Sequence, residues 1–218
     1  MISGMKRLVA DTLTRKVMDN AVKNFASNYC KEGPTYDIGG VPRYSYNKYF
    51  ADYKTVNLDK KEKPDILANA AKLPFKNNTV NNILCLAMLE HVRKPEIVIK
   101  EMYRVMKKKA CALVWVPFYW REHNYPIDNY RYTHQGINAL LERHGFKIID
   151  SKSKPYNGFF FILSHNVRFL IKDPRKVSSY DPLLYIHSML CYLSKLDKVF
   201  NLEYPYVYTG VEIVIEKK

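Results

Sequence analysis

Residues 79–118 read "TVNNILCLAMLEHVRKPEIVIKEMYRVMKKKACALVWVPF". The opening run, 79–89, is nearly continuous in apolar residues, as expected of a central parallel strand covered on both faces. Over 94–107, Ile97, Ile99, Met102, Val105 and Met106 recur at helical spacing, and "ACALVWVPF" (110–118) is a second buried strand. Strand, helix and strand in this order form a βαβ unit, which implies parallel pairing and helices on the sheet faces.

The pattern extends in both directions. Upstream, "TYDIGG" (35–40) is a short strand ending in glycines, "YKTVNLD" (53–59) a second ending on an acid, and "KPDILANAAKLPF" (63–75) a weaker third. Downstream, "THQGINALLERHG" (133–145) carries a Thr cap and a Gly stop around a helix, and "FKIIDSKS" follows as a strand. Leu8, Val9, Leu13, Val17, Val22 and Phe25 mark an N-terminal helix over 5–26. The expected architecture is α/β, with an N-terminal helix in 1–30, a doubly wound core in 31–154 and 207–218, and an aromatic-rich helical insertion or lid in 155–206. Such sheets bind ligands beyond the carboxyl ends of their strands.

Composition narrows the partners. The chain has 218 residues, 47% hydrophobic and 26% charged, with a net charge of +14. That balance belongs to a globular protein and favours acidic partners: phosphorylated small molecules, nucleic acid or an anionic membrane face. No basic block longer than "MKKK" occurs, so no nucleic-acid tail is evident. The four cysteines form neither a CxxC pair nor a disulfide framework, and the N-terminal stretch lacks the apolar core of a signal peptide. A cytoplasmic protein is expected. No apolar run reaches the length of about 18 residues that spans a bilayer.

The turn "YDIGGVP" (36–42) sits where a nucleotide-type ligand would bind. It lacks the third glycine that lets backbone amides approach a pyrophosphate, and the residues after it are bulky. Asp59 follows at the end of the second strand, where an acid can accept from two ribose hydroxyls. Asn69, at the end of the third strand, offers an amide to an adenine edge.

These segments together resemble the class I S-adenosylmethionine-dependent methyltransferases of the small-molecule group, whose members carry a D-x-G-x-G turn, D-A-x-x-L-P-F, L-E-H-V and E-x-x-R-V-L-K-P-G-G. Here "DIGGV", "NAAKLPF", "LEHV" and "EMYRVMKKKAC" keep that order over roughly residues 34–150. The resemblance implies a Rossmann-like seven-stranded sheet, mostly parallel with an antiparallel last strand, for which "GVEIVIEKK" stands. It implies S-adenosyl-L-methionine as cofactor, with Asp37, Gly39 and Gly40 lining its methionine end and Asp59 holding the ribose. Asn69 and Ala70 would face adenine, and Leu86, Ala87 and Met88 would lie near the sulfonium. Val41-Pro42 in place of a glycine, Asn69 in place of Asp, and "KKKAC" in place of K-P-G-G are the departures. A positive sulfonium without phosphates needs fewer glycines and suits a nearby Asp, and the 107–111 turn is expected to be structural.

An acceptor site is expected in "PFYWREHNYPIDNYRYT" (117–133), dense in His, Asp, Arg and Tyr. It resembles a stretch found in a subset of these enzymes associated with glycan or natural-product pathways. His123 is the candidate base for a hydroxyl, Asp128 would orient it or bind a sugar hydroxyl, and Arg131 would grip a carboxylate or phosphate. The same residues also suit a structural ion pair shaping a lid. Glu90-His91 is expected to cap or orient the following helix, the remaining histidines, His134, His144, His165 and His187, lack metal-ligand spacing, and no metal site is expected.

Three functions remain: a methyltransferase acting on a small-molecule, sugar or glycan acceptor at oxygen, an RNA methyltransferase, and a non-catalytic protein of the same fold. No Asn-Pro-Pro-Tyr base-handling motif supports the second. The insertion, mixing Leu, Phe and Tyr with Lys and Arg, suits core packing, a dimer surface, or peripheral contact with a membrane that carries a lipid-linked acceptor.

Overall fold

The computed structural model describes residues 13–123, 127–152, 158–171, 182–202 and 208–218. Seven strands form one sheet: β1 (Thr35–Ile38), β2 (Tyr53–Asn57), β3 (Ile66–Leu67), β4 (Val80–Leu86), β5 (Met106–Pro117), β6 (Phe146–Lys152) and β7 (Gly210–Lys217). Their spatial order is β3-β2-β1-β4-β5-β7-β6. Pairing is parallel from β3 through β5, and β7 runs antiparallel to both β5 and β6. This is the expected Rossmann-like sheet with its reversed last strand.

The chain divides into two compact units: Asn20–Lys152 with Gly210–Lys218, which holds the sheet, and Met1–Asp19 with Ser153–Thr209. In the sheet unit, Val22 and Phe25 of α1 (Leu13–Asn28) are fully buried and pack with Tyr46, Leu84, Cys111, Leu113 and Val214. Leu8 and Val9, expected on the same helix, lie outside the described residues. Helix α2 (Pro95–Val105) buries Val98, Ile99, Met102 and Val105, whereas Ile97 is exposed. Met106 is not its last apolar residue but the first residue of β5.

That boundary removes the expected turn at 107–111. Lys107, Lys108 and Lys109 are exposed strand residues, and between Val80↔Met106 and Asn82↔Cys111 the register slips around Lys109, at φ +64°. A bulge takes up the extra residues without a glycine pair. Helix α3 (His134–Arg143) starts as read, with the Thr133 hydroxyl accepting from the Gly136 N–H at 3.0 Å, and the chain leaves it through Gly145 at φ +95°.

The β1–β4 crossovers are shorter than the alternating pattern suggests. Only 3-10 turns occur there: Pro42–Tyr44, Asn47–Tyr49 and Lys60–Glu62. No α-helix begins after the glycine turn, so no helix N-terminus is offered there to a phosphate.

The "LPF" loop is held by α2. Arg104 donates from Nη2 to the Leu73 carbonyl at 3.1 Å and from Nη1 to that of Phe75 at 2.9 Å, while Glu101 accepts the Leu73 N–H at 2.9 Å. Arg104 and Glu101 also pair with each other.

The other unit contains α4 (Phe159–Leu170), α5 (Pro182–Leu193) and α6 (Leu196–Val199), all between β6 and β7 in the chain. Buried Asp197 accepts from the N–H groups of Phe160 and Phe161 at 2.9 and 3.0 Å, so it caps α4 from across the unit. Gly158 permits this approach, since a Cβ there would lie 2.2 Å from the Asp197 carboxyl. No helix among the described residues is long and apolar enough to cross a membrane.

Candidate functional site

Strand order reverses at β1, which pairs with β2 on one side and β4 on the other, so a crevice is expected at their carboxyl ends. Asp37 lies in β1 and is buried. Its carboxyl accepts a hydrogen bond from the Tyr53 hydroxyl, and burial pushes its pKa up to about 6 against the opposing effect of that bond. A nearby cation would favour its ionised form.

The glycines that follow are each required. Gly39 has φ +84°, and a Cβ on it would lie 2.5 Å from Met88. On Gly40 a Cβ would lie 2.5 Å from the Asp37 carboxyl, so only glycine lets the turn pass this close over it. Asn57, at the end of β2, donates to both glycine carbonyls at 3.2 Å and accepts from the Asp59 N–H at 2.9 Å. It ties the turn to Asp59, a role that sequence reading missed; the only signal was a polar residue closing a buried strand two positions before the acid.

Asp59 lies two residues beyond β2 rather than on it. It is exposed, and its Oδ1 accepts the Lys61 N–H at 2.8 Å. Asn69 is likewise two residues beyond β3 and exposed. Its carbonyl oxygen accepts from the Ala71 N–H at 2.9 Å, so the acceptor expected to serve adenine is used in a local turn and the amide N–H remains. Leu86 closes β4, Ala87 follows at φ +50°, and Met88 is buried against Gly39.

The loop after β5 forms its own cluster. The Asp128 side chain is nearly inaccessible and receives both guanidinium Nη groups of Arg131, the Nη2 contact at 2.6 Å, and the His123 backbone N–H at 2.8 Å. The Arg131 guanidinium beside it holds the Asp128 carboxyl well below the usual carboxylate range. Arg131 also donates to the carbonyls of Trp120, Tyr130 and Arg121 at 3.2, 2.8 and 2.9 Å. All five of its N–H groups are therefore committed within the loop, which makes it a clamp on Asp128 rather than a grip for an anionic acceptor.

His123 is half-buried. Its Nδ1 lies 3.1 Å from Asp128 Oδ2, and burial lowers its pKa against the raising effect of Asp128. Its ring meets that of His91 edge-on at 4.9 Å, and Trp120 stands 6.4 Å away. Neither Glu90 nor His91 caps α2: its N-cap is Lys94, without a side-chain cap bond, and the pair sits in the 3-10 turn Leu89–His91. Glu90 is wholly buried, and burial pushes its pKa up to about 8. The His91 Nδ1 lies 2.6 Å from the Ile127 carbonyl.

Comparison with known proteins agrees with this architecture. The family described as "Methyltransferase domain" matches residues 43–114. An uncharacterised protein of Methanocaldococcus jannaschii is 32% identical over 113 residues, 47% of this chain and 50% of its own length. The chain thus spans about half the length of the curated relative it matches. A solved structure described as a SAM dependent methyltransferase from Archaeoglobus fulgidus superposes with a TM-score of 0.61 at 12% identity, covering 93% of this chain and 94% of that one. The Haemonchus contortus phosphoethanolamine N-methyltransferase 2, solved with S-adenosyl-L-methionine, gives 0.59 at 14% identity, covering 92% and 52%. The [4+2]-cyclase SpnF gives 0.60 at 13% identity, covering 93% and 82%. The fold is thus the one these SAM-dependent methyltransferase structures share, and residues 43–114 match the methyltransferase domain.

Proposed function

We propose that this chain transfers a methyl group from S-adenosyl-L-methionine to an oxygen of a small-molecule, sugar or glycan acceptor. One observation carries the reading: a buried carboxyl, Asp37, stands at the strand-order reversal under a glycine turn, beside no helix N-terminus. That arrangement suits a cationic ligand and not a pyrophosphate. When bound, the cofactor supplies an electrophilic methyl group on a positively charged sulfur.

The chain's residues then divide the work. Asp37, Gly39 and Gly40 hold the methionine end, Asp59 the ribose hydroxyls, the Asn69 amide and Ala70 the adenine, and Leu86, Ala87 and Met88 line the sulfur side. In the acceptor loop, Asp128 holds His123 Nδ1, so Nε2 is the atom that takes a hydroxyl proton. Arg131 fixes Asp128 and acts through it. Positioning of this kind supplies much of the rate in a displacement reaction.

A fold alone does not determine a reaction, as the cyclase among the structural neighbours illustrates. The test is incubation of the full chain with methyl-labelled cofactor and either a panel of hydroxylated sugars and glycans or total RNA. Label is expected in the sugar and glycan fraction. Label confined to RNA, or label in neither fraction from a protein that binds the cofactor, overturns the reading in favour of an RNA methyltransferase or a non-catalytic binder.

A further observation favours a lipid-linked acceptor. Tyr185, Ile186, Met189 and Tyr192 of α5 recur at helical spacing and are all exposed. An exposed apolar helix face on a chain of net charge +14 suits contact with an anionic membrane surface.

A further inference from the structure

We propose that Glu90, His91 and His123 bind a divalent first-row metal ion of the zinc type through one carboxylate and two imidazole nitrogens. The fold brings together what linear spacing kept apart: Glu90 and His91 follow β4, His123 follows β5, and one donor atom from each lies within 4.8 Å of the other two. In a bound site these donors would stand about 2.0–2.2 Å from the ion, so the gathered set needs only a small contraction. His91 Nε2 and Glu90 Oε1 are already 3.8 Å apart.

Two independent observations point to a cation there. The first is Glu90 itself, 0% exposed, with neither carboxyl oxygen receiving a hydrogen bond from another described residue. A buried carboxyl that no other described residue hydrogen-bonds is costly, and the nearby Arg131 is fully committed to Asp128 and to backbone carbonyls.

The second is the orientation of both rings. Each histidine presents Nδ1 to an acceptor: His91 to the Ile127 carbonyl at 2.6 Å, His123 to the Arg121 carbonyl at 3.3 Å, with the Asp128 carboxylate 3.1 Å away. With the proton on Nδ1, the Nε2 lone pair is free, and metal-ligating histidines are characteristically held in this way by a carbonyl or carboxylate behind them. Asp128, clamped by Arg131, is then the residue that orients a ligand.

Two imidazoles and a carboxylate suit zinc, cobalt or manganese better than calcium or magnesium. Three protein ligands leave a coordination position open. Resting on the methyltransferase reading, in the metal-loaded site that position would take the acceptor oxygen, and the ion, holding His123 Nε2 as a ligand, would replace the free imidazole in easing loss of its proton.

The test reads the metal and not the reaction. Full-length protein stripped with chelator is dialysed against zinc chloride and, separately, cobalt chloride, then analysed for metal content and for visible cobalt absorption. About one ion per chain is expected, with cobalt bands of nitrogen–oxygen coordination. Glu90→Gln and His123→Asn should each abolish this binding, and Asp128→Asn should weaken it about 10- to 100-fold. Asp59→Ala should leave metal binding intact while removing S-adenosylhomocysteine binding, which separates a failed metal site from a failed cofactor site. Circular dichroism of each variant reports folding. A folded wild-type chain that takes up no stoichiometric metal, or equal uptake by a folded Glu90→Gln/His123→Asn variant, overturns the proposal.

Discussion

Asp37 carries a direct pH signature. Its pKa is raised from 3.8 to about 6 by burial, so the folded chain holds this proton more tightly than the unfolded one. The stability it contributes is full below the unfolded value of 3.8 and is lost as pH rises through about 6. Cofactor binding has the opposite sign, because a cationic ligand needs the carboxylate. S-adenosyl-L-methionine affinity, measured by titration calorimetry from pH 5 to 7.5, is expected to rise through pH 6; a flat profile would remove Asp37 from the site. Asp37→Asn should stabilise the ligand-free chain at pH 7.5 by about 1–3 kcal/mol, on the scale of 1.36 kcal/mol per pKa unit, while losing the ligand. Urea denaturation reads the first effect.

What was legible in the sequence was chain position: Asp37 in β1, Gly39 and Gly40 directly after it, and Asp59 two residues beyond β2. Tyr53 and Asn57 were not, because their side chains reach across from β2 to the β1 turn and only register reveals it. The Glu90–His91–His123 cluster was hidden for the same reason, and of the two readings open for Arg131 its five inward donors favour the structural ion pair.

At the level of elements, sequence motifs that look like signatures of chemistry prove to be joints. Arg104 and Glu101 fasten the "LPF" loop to α2. Arg104→Ala should cost about 1.5–3 kcal/mol, the range for hydrogen bonds to a charged group, and should weaken cofactor binding through the loosened loop that follows Asn69. Unchanged stability in urea would show that the joint carries nothing. Asp197→Ala should destabilise α4 by about 1–2 kcal/mol through loss of its cap, seen as faster hydrogen exchange over 159–170.

Strands β1, β2 and β4, and helix α3 with both its caps, were readable from periodicity and turn chemistry. The missing helices between β1 and β4 were not, because 3-10 turns leave no periodic trace. Continuation of α2 directly into β5 was hidden because Met106 is apolar in either element.

At the scale of the whole molecule, two features go beyond the fold. One is the exposed apolar face of α5 on a basic chain, which predicts co-sedimentation with anionic phospholipid vesicles. Met189→Glu with Tyr192→Glu should abolish it, and equal sedimentation of the variant would exclude that face.

The other is the cofactor crevice, on which the functional account stands. Its most direct measurement is isothermal titration of the full chain with S-adenosylhomocysteine at pH 7.5. The account predicts one site per chain, with no measurable binding in a folded Asp59→Ala variant; an intact chain that binds none would contradict it.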